Sequence, residues 1–365
     1  MMLDHILGVR LWPILLAACG AAAIPFWLAG FSFELHFLMI FIEGPALGFL
    51  AVRILARYPR VYVFAGAAEG IFFMTFAGLF GLLTCYAAAA ARAPLIDGQL
   101  LWADRWLGYD WVAYAKFCAS HPWLLSGFRW AYGTNLTQPV IIGALLYWAR
   151  LAPRFEKFVL ANVVGVLTTA IVFLLFPATT AWTFLGQESL AARILPDLPI
   201  TANSWLGDLM QIRAGSGRYL TRLSGIVAFP SFHCTSALLN VWAVWPVRRI
   251  WMPFALLNLI MIGATPIIGG HYVTDLIGGA VVALLTIPLV ERLHRHLLSS
   301  RLFRLPPAFA DGKAWPQMAP ISDSLSRQKL HISKTARHCY KPISAEGMVP
   351  SQASKSALGG AIKSD

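Results

Sequence analysis

Gly269-Gly270-His271-Tyr272-Val273-Thr274-Asp275-Leu276-Ile277-Gly278-Gly279 opens a stretch that stays apolar as far as Val290, apart from Thr286. Residues 271–290 have the length, about 20 residues, that a helix needs to cross the hydrocarbon core of a bilayer. The ionisable groups of that stretch, His271 and Asp275, lie at its start. Working outward, further apolar runs occupy about 11–31, 35–55, 61–90, 134–150, 157–177, 230–247 and 249–268. The chain is 58% hydrophobic and 13% charged, whereas a soluble domain carries about 25% charged residues. The expectation is an all-α, polytopic membrane helix bundle of about eight spans. Residues 1–60 read as two N-terminal spans and 61–300 as the membrane core. Residues 301–365, rich in Ser, Pro, Lys and Ala, read as a disordered cytoplasmic tail.

The formal net charge of +12 fits short cytoplasmic loops and the basic tail, not nucleic-acid binding. Arg53, Arg57 and Arg60 mark one loop; Arg150, Arg154 and Lys157 a second; Arg248 and Arg249 a third. Arg292, Arg295, Arg301 and Arg304 follow the last span. An eight-span count puts all four clusters on the side of the N-terminus, and the positive-inside rule makes that side cytoplasmic. Both termini are then cytoplasmic, and the long connections 91–133 and 178–229 lie outside. Leu16-Ala17-Ala18-Cys19 resembles a lipoprotein cleavage box, but the apolar residues after it read as a retained first span. The five cysteines show neither metal spacing nor a paired framework and read as small core residues. Glu34, Glu43 and Glu69 lie in or beside early spans, where pairing inside the bundle is the favoured reading.

The outer segment at about 92–133 mixes Trp102, Trp106 and Trp111 with Asp97, Asp104 and Asp110. That mixture suits amphipathic helices at the headgroup level. A paired-acid site is conceivable there, but a solvated polar face is preferred. Asn135, Thr137 and Gln138 begin the next span and read as capping and interhelical hydrogen-bonding groups, with head-group contact as the alternative.

A second polar stretch, Phe229-Pro230-Ser231-Phe232-His233-Cys234-Thr235-Ser236, opens the run at 230–247. One span runs inward after His233 and the next returns before His271, so both histidines arrive at one membrane face. A neutral imidazole can attack phosphorus in line and form a phosphohistidine, provided a partner holds its tautomer. Asp275, one helical turn after His271, suits that role. A second imidazole, protonated, can donate to the leaving oxygen. Ser231 behind Pro230 reads as a helix start, whose hydroxyl and first free amides form an anion site. The arrangement requires no metal and no cofactor. His-x-x-x-Asp alone could equally be a metal pair, but His233 and Cys234 point about 100° apart on a helix and would not ligate together.

Pro-Ser-Phe-His followed by Gly-His-Tyr-x-x-Asp-x-x-x-Gly resembles the type-2 phosphatidic acid phosphatase superfamily, most closely its inositol phosphorylceramide synthase-like branch. The likeness covers about 130–290, and the Asp97–Trp111 segment is similar to that branch's upstream region. The resemblance implies a six-helix core with the site at the extracytoplasmic face. It also implies His271 as nucleophile, Asp275 as its orienting acid, His233 as general acid and Ser231 as phosphate ligand. The substrate would be a lipid phosphate or phospholipid in the bilayer, and the location a bacterial inner membrane with the site facing the periplasm. Two departures stand out. The family's second motif begins Ser-Arg, and here Ala264 and Thr265 occupy those positions. Its first motif, a Lys and an Arg-Pro pair, has no clear counterpart. Arg213, Arg218 and Arg222 are candidate substitutes, with Arg222 and Arg218 preferred. Hydrolysis and head-group transfer both remain open, with a slight tilt toward diester or transferase chemistry. A transporter and a catalytically inactive partner protein are the rival readings.

Overall fold

A computed structural model describes residues 12–34, 62–196, 205–220 and 225–299. The chain divides into two units, Met1–Pro306 and Pro307–Asp365, and the described residues all belong to the first. The expected span at 35–55, Glu43 and the 301–365 tail fall outside them.

The described chain is helical apart from two dipeptide strands. Its elements are α1 (Trp12–Leu28), β1 (Ser32–Phe33), α2 (Tyr62–Ala90), α3 (Asp97–Trp106), α4 (Trp111–Ala119) and α5 (Pro122–Gly133). A 3-10 turn at Thr134–Leu136 leads into α6 (Gln138–Trp148) and α7 (Ala152–Leu175). There follow α8 (Ala181–Phe184), α9 (Glu188–Ile194), α10 (Trp205–Ala214), β2 (Tyr219–Leu220), α11 (Phe232–Val244), α12 (Trp251–Ile268) and α13 (Val273–Ser299). The strands pair in parallel, Ser32 with Tyr219 and Phe33 with Leu220, and tie the end of α1 to the loop before α11. Glu34 follows directly. It is exposed, not paired inside the bundle as expected, because the chain has already left α1 for this ladder.

Gly66–Ala90, Ala152–Leu175, Trp251–Ile268 and Val273–His296 are long and apolar enough to cross a membrane. Three further apolar helices are shorter: Ala17–Leu28, Gln138–Trp148 and Phe232–Val244. At about 1.5 Å per residue, α6 and α11 do not reach across a core of about 30 Å. Sequence marks both truncations. Pro139 forces a fresh start for α6 after the 3-10 turn, and α11 ends at Val244, two residues before Pro246, inside the run expected at 230–247.

Helices α2, α6, α7, α11, α12 and α13 pack into the bundle, with α2 lying on both α6 and α7. A Cβ on Gly66 would stand 2.5 Å from the Gly143 carbonyl, so the backbones of α2 and α6 touch where small residues allow it. Phe73, Phe155, Phe158 and Phe173 fill the layer between them and α7.

A second apolar cluster lies at the end of the bundle where α11 and α13 begin. Trp111, Cys118, Phe128 and Trp182 from the connecting helices meet Ala264, Ile267 and Tyr272. Trp111 Nε1 donates to the Pro266 carbonyl at 2.8 Å, and the Tyr114 hydroxyl to the Gly263 carbonyl at 2.8 Å. The outer helices are therefore bolted to α12. At the other end, the Arg154 guanidinium and Lys157 pair with Glu291, and His294 pairs with Glu156. Glu291 lies several helical turns along α13 from Asp275, so the basic loop at 150–157 and the histidine motifs occupy opposite ends of the bundle.

Helix α3 corrects the expected solvated face. Asp97 and Asp104 are only 2% and 1% exposed, whereas Trp102 and Trp106 are 70% and 77% exposed. The carboxylates point inward because donors from other helices await them there, and the indoles face outward. Asp110 alone behaves as a surface group, capping α4 through the Val112 and Ala113 amides.

Candidate active site

His271 lies two residues before α13, in a turn made possible by Gly270. That glycine has φ +70°, and a Cβ on it would stand 2.7 Å from Trp182 and Thr180 side-chain atoms. The turn aims the buried imidazole back along the first helical turn. His271 Nδ1 lies 3.0 Å from Asp275 Oδ2, which also accepts the Tyr272 amide at 3.0 Å. Asp275 thus serves twice, as partner of the imidazole and as a cap on the helix start. In the tautomer whose Nδ1 donates to the carboxylate, Nε2 carries the lone pair; the ring also faces the Ala228 backbone.

The Pro-Ser-Phe-His stretch arrives from α11. The Ser231 amide donates to the Asp275 carbonyl at 3.0 Å, and the Thr235 hydroxyl donates to the Gly279 carbonyl at 2.9 Å. A Cβ on Gly279 would collide with the Ser231 carbonyl, which is why the two helix starts can lie against each other. Ser231 itself is buried, and its hydroxyl accepts the Cys234 amide at 3.4 Å as the α11 cap.

His233 has a partner that sequence did not suggest. The Tyr132 ring stacks on the imidazole with centroids 4.1 Å apart and planes 16° apart. The Tyr132 hydroxyl lies 3.3 Å from His233 Nδ1. A Cβ placed on Gly269 would be 2.9 Å from that hydroxyl and 2.6 Å from His271 Cδ2. Tyr132 and His271 therefore flank one point, and His233 stacks on Tyr132.

Ser231, His233, His271 and Asp275 are thus brought together. The arginines are not. The Arg218 guanidinium donates to the Ala29 carbonyl at 2.6 Å and covers the Phe31 ring at 4.7 Å, so it is engaged with the α1 exit. Arg222 lies outside the described residues. Arg213 donates to the Ala93 carbonyl at 2.7 Å; burial lowers its pKa, and the Asp97 charge opposes that shift. At the departure from the family motif, Ala264 and Thr265 are both buried, and the Thr265 hydroxyl donates to the Met261 carbonyl at 2.8 Å. Neither position substitutes for a cation.

Along α11 beyond His233 the buried polar groups are neutral. The Ser236 hydroxyl donates to Asn135 Oδ1 at 2.7 Å. Deeper, Asn240 and Asn258 both donate to Gln138 Oε1, at 3.0 and 2.9 Å, and Gln138 donates to the Thr134 hydroxyl at 3.0 Å. These bonds join α6, α11 and α12, the interhelical role expected of Gln138. Among the described residues no group of three or more His, Cys, Asp or Glu is arranged to hold a metal.

Residues 98–289 match the sequence profile of the PAP2 superfamily, slightly more than half of the chain and all four motif residues. The chain belongs to the PAP2 superfamily. Membership supports a phosphatase-type function on lipid phosphates, in a superfamily that comprises phosphatases and phosphotransferases acting on phosphate esters. No curated protein and no solved structure matches the chain.

Proposed function

We propose that this PAP2 superfamily member is an integral-membrane lipid-phosphate phosphatase or phospho-head-group transferase working through a phosphohistidine on His271. The observation that carries the reading is the His271–Asp275 pair at 3.0 Å, set beside a second imidazole on Tyr132. In the first step the His271 Nε2 lone pair attacks phosphorus. The bond from phosphorus to the leaving oxygen breaks, and that oxygen takes its proton from His233. Asp275 stabilises the positive charge that develops on His271 and keeps Nδ1 protonated. In the second step neutral His233 takes the proton of a water or alcohol as its oxygen attacks phosphorus. The N–P bond breaks and its electron pair returns to Nε2. Free amides at the start of α11, beside Ser231, supply donors for the equatorial oxygens.

The missing cation favours a singly charged phosphodiester over a doubly charged monoester, because a dianion gains more from the arginine that Ala264 and Thr265 replace. That inference agrees with the likeness to the inositol phosphorylceramide synthase-like branch. Arg222 is the remaining preferred candidate for a phosphate clamp. Separation of the basic loop at 150–157 from the histidine end supports a site on the extracytoplasmic face, with the termini cytoplasmic and the bacterial inner membrane as the location.

The deciding experiment offers the detergent-purified protein radiolabelled phosphatidate, undecaprenyl diphosphate and phosphatidylinositol, the last with and without ceramide. Released phosphate and labelled lipid products are followed for the parent, His271→Ala and His233→Ala. Loss of turnover in both variants is expected; full activity in both would overturn the assignment. Labelling of an engineered cysteine at Asp197 by a membrane-impermeant reagent is expected from the periplasmic side, and labelling only from the cytoplasmic side would reverse the topology.

A further inference from the structure

We infer that Asp104, with Asp97 as a second arm, is a positioning residue for the nucleophile, acting through the start of α13. This rests on the reading of His271 as nucleophile. Helix α13 begins immediately after Tyr272, a residue with no side-chain oxygen that could cap its own helix. The first amides of a helix have no partner within it, and burying them unpaired is costly. Asp104, 169 positions away from Val273 in the chain, supplies the partner. Its Oδ2 accepts the Val273 amide at 2.9 Å, and its Oδ1 accepts the Thr274 amide at 2.8 Å and the Thr274 hydroxyl at 2.5 Å. Three donors converge on one buried carboxylate, whose charge also suits the positive end of the helix dipole.

Asp97, two turns earlier on the same face of α3, holds the residue before the helix. It accepts the Tyr272 hydroxyl at 3.0 Å and is itself fixed by the Thr179 amide and hydroxyl at 2.9 and 2.7 Å. The residues caught by the two arms, Tyr272, Val273 and Thr274, are the ones between His271 and Asp275. Helix α3 therefore sets the backbone between the imidazole and the carboxylate that orients it. A small rotation there would swing His271 off the line of attack, and in-line transfer depends steeply on such alignment.

The test separates positioning from mere stability. Orthovanadate, which becomes five-coordinate like phosphorus in transit, is titrated calorimetrically into the purified full-length protein beside inorganic phosphate, which mimics the ground state. Asp104→Asn keeps one acceptor but loses the charge and the second oxygen. It is expected to weaken vanadate about 10- to 100-fold, by analogy with the loss of an outer hydrogen-bonding partner behind a metal-bound imidazole, with phosphate binding little changed. Thr274→Val, a milder change from the other side of the contact, should weaken vanadate less, and the double variant should be no worse than Asp104→Asn alone. Asp110→Asn, on the exposed cap of α4, should bind both ligands like the parent. Should Asp104→Asn fail to fold, Thr274→Val decides. Unchanged vanadate affinity in the folded variants, or equal weakening of vanadate and phosphate, would overturn the inference. His271→Ala binding vanadate as the parent does, or a parent that binds none, would instead defeat the nucleophile reading on which it rests.

Discussion

His271 and His233 sit on the two sides of one site, yet they are held by different chemistry. His271 is tied by a carboxylate one helical turn away, and that carboxylate also caps the helix start. The segment between the two is gripped from α3, through the Val273 and Thr274 amides and the Tyr272 hydroxyl. His233 is held by a phenol from α5, stacked flat on the ring, with a longer hydrogen bond at 3.3 Å. A carboxylate stabilises positive charge on an imidazole, which an attacking nitrogen needs. A phenol fixes the ring's plane without adding that charge, so the ring can release a proton to a leaving oxygen. The asymmetry of the partners thus argues for the asymmetry of the roles.

Each half of that comparison can be broken separately. Replacing His271 with Ala removes the proposed nucleophile, and turnover should fall by about 10⁴-fold or more, as when a covalent catalyst loses its attacking group; single-turnover kinetics with labelled lipid would measure it. His233→Asn should cost about 10²–10⁴-fold, the usual worth of a general acid. The loss should shrink markedly on a p-nitrophenyl ester, whose leaving group needs no proton; an equal loss on both esters would strip His233 of the acid's role. Asp275→Asn should lower turnover about 10²- to 10⁴-fold, because the amide no longer holds Nδ1 protonated, with KM changing less than kcat. Tyr132→Phe, which keeps the stack and removes one hydrogen bond worth about 1 kcal/mol, should slow turnover only several-fold. If Tyr132→Phe proved as damaging as Asp275→Asn, the phenol would be more than an orienting group and the contrast would fail.

Much of the site was legible because local spacing carries it. The i, i+4 relation of His271 and Asp275 survives in the structure as a 3.0 Å contact across one turn. Gly270 and Gly279 lie against Trp182 and Ser231. Tyr132 was not legible. It lies 101 positions from His233, and no pattern in α5 distinguishes it from the aromatic residues around it. Reading α3 as a solvated acidic face failed for a related reason. Its period shows that Asp97 and Asp104 share a face, but not which face meets water. The donors that draw them inward belong to Thr179, Tyr272, Val273 and Thr274.

By itself the sequence determined the membrane class, the helical bundle and the pairing of His271 with Asp275. Apolar run length and helical period are local properties, and they act before any tertiary contact forms. Tertiary structure alone decided that His233 leans on Tyr132 and that the acidic face of α3 turns inward onto the start of α13. Each of those outcomes depends on where a buried donor or acceptor finds its partner. In a dry interior such partners must be supplied from elsewhere in the chain, so the choice is made by packing and cannot be read from spacing.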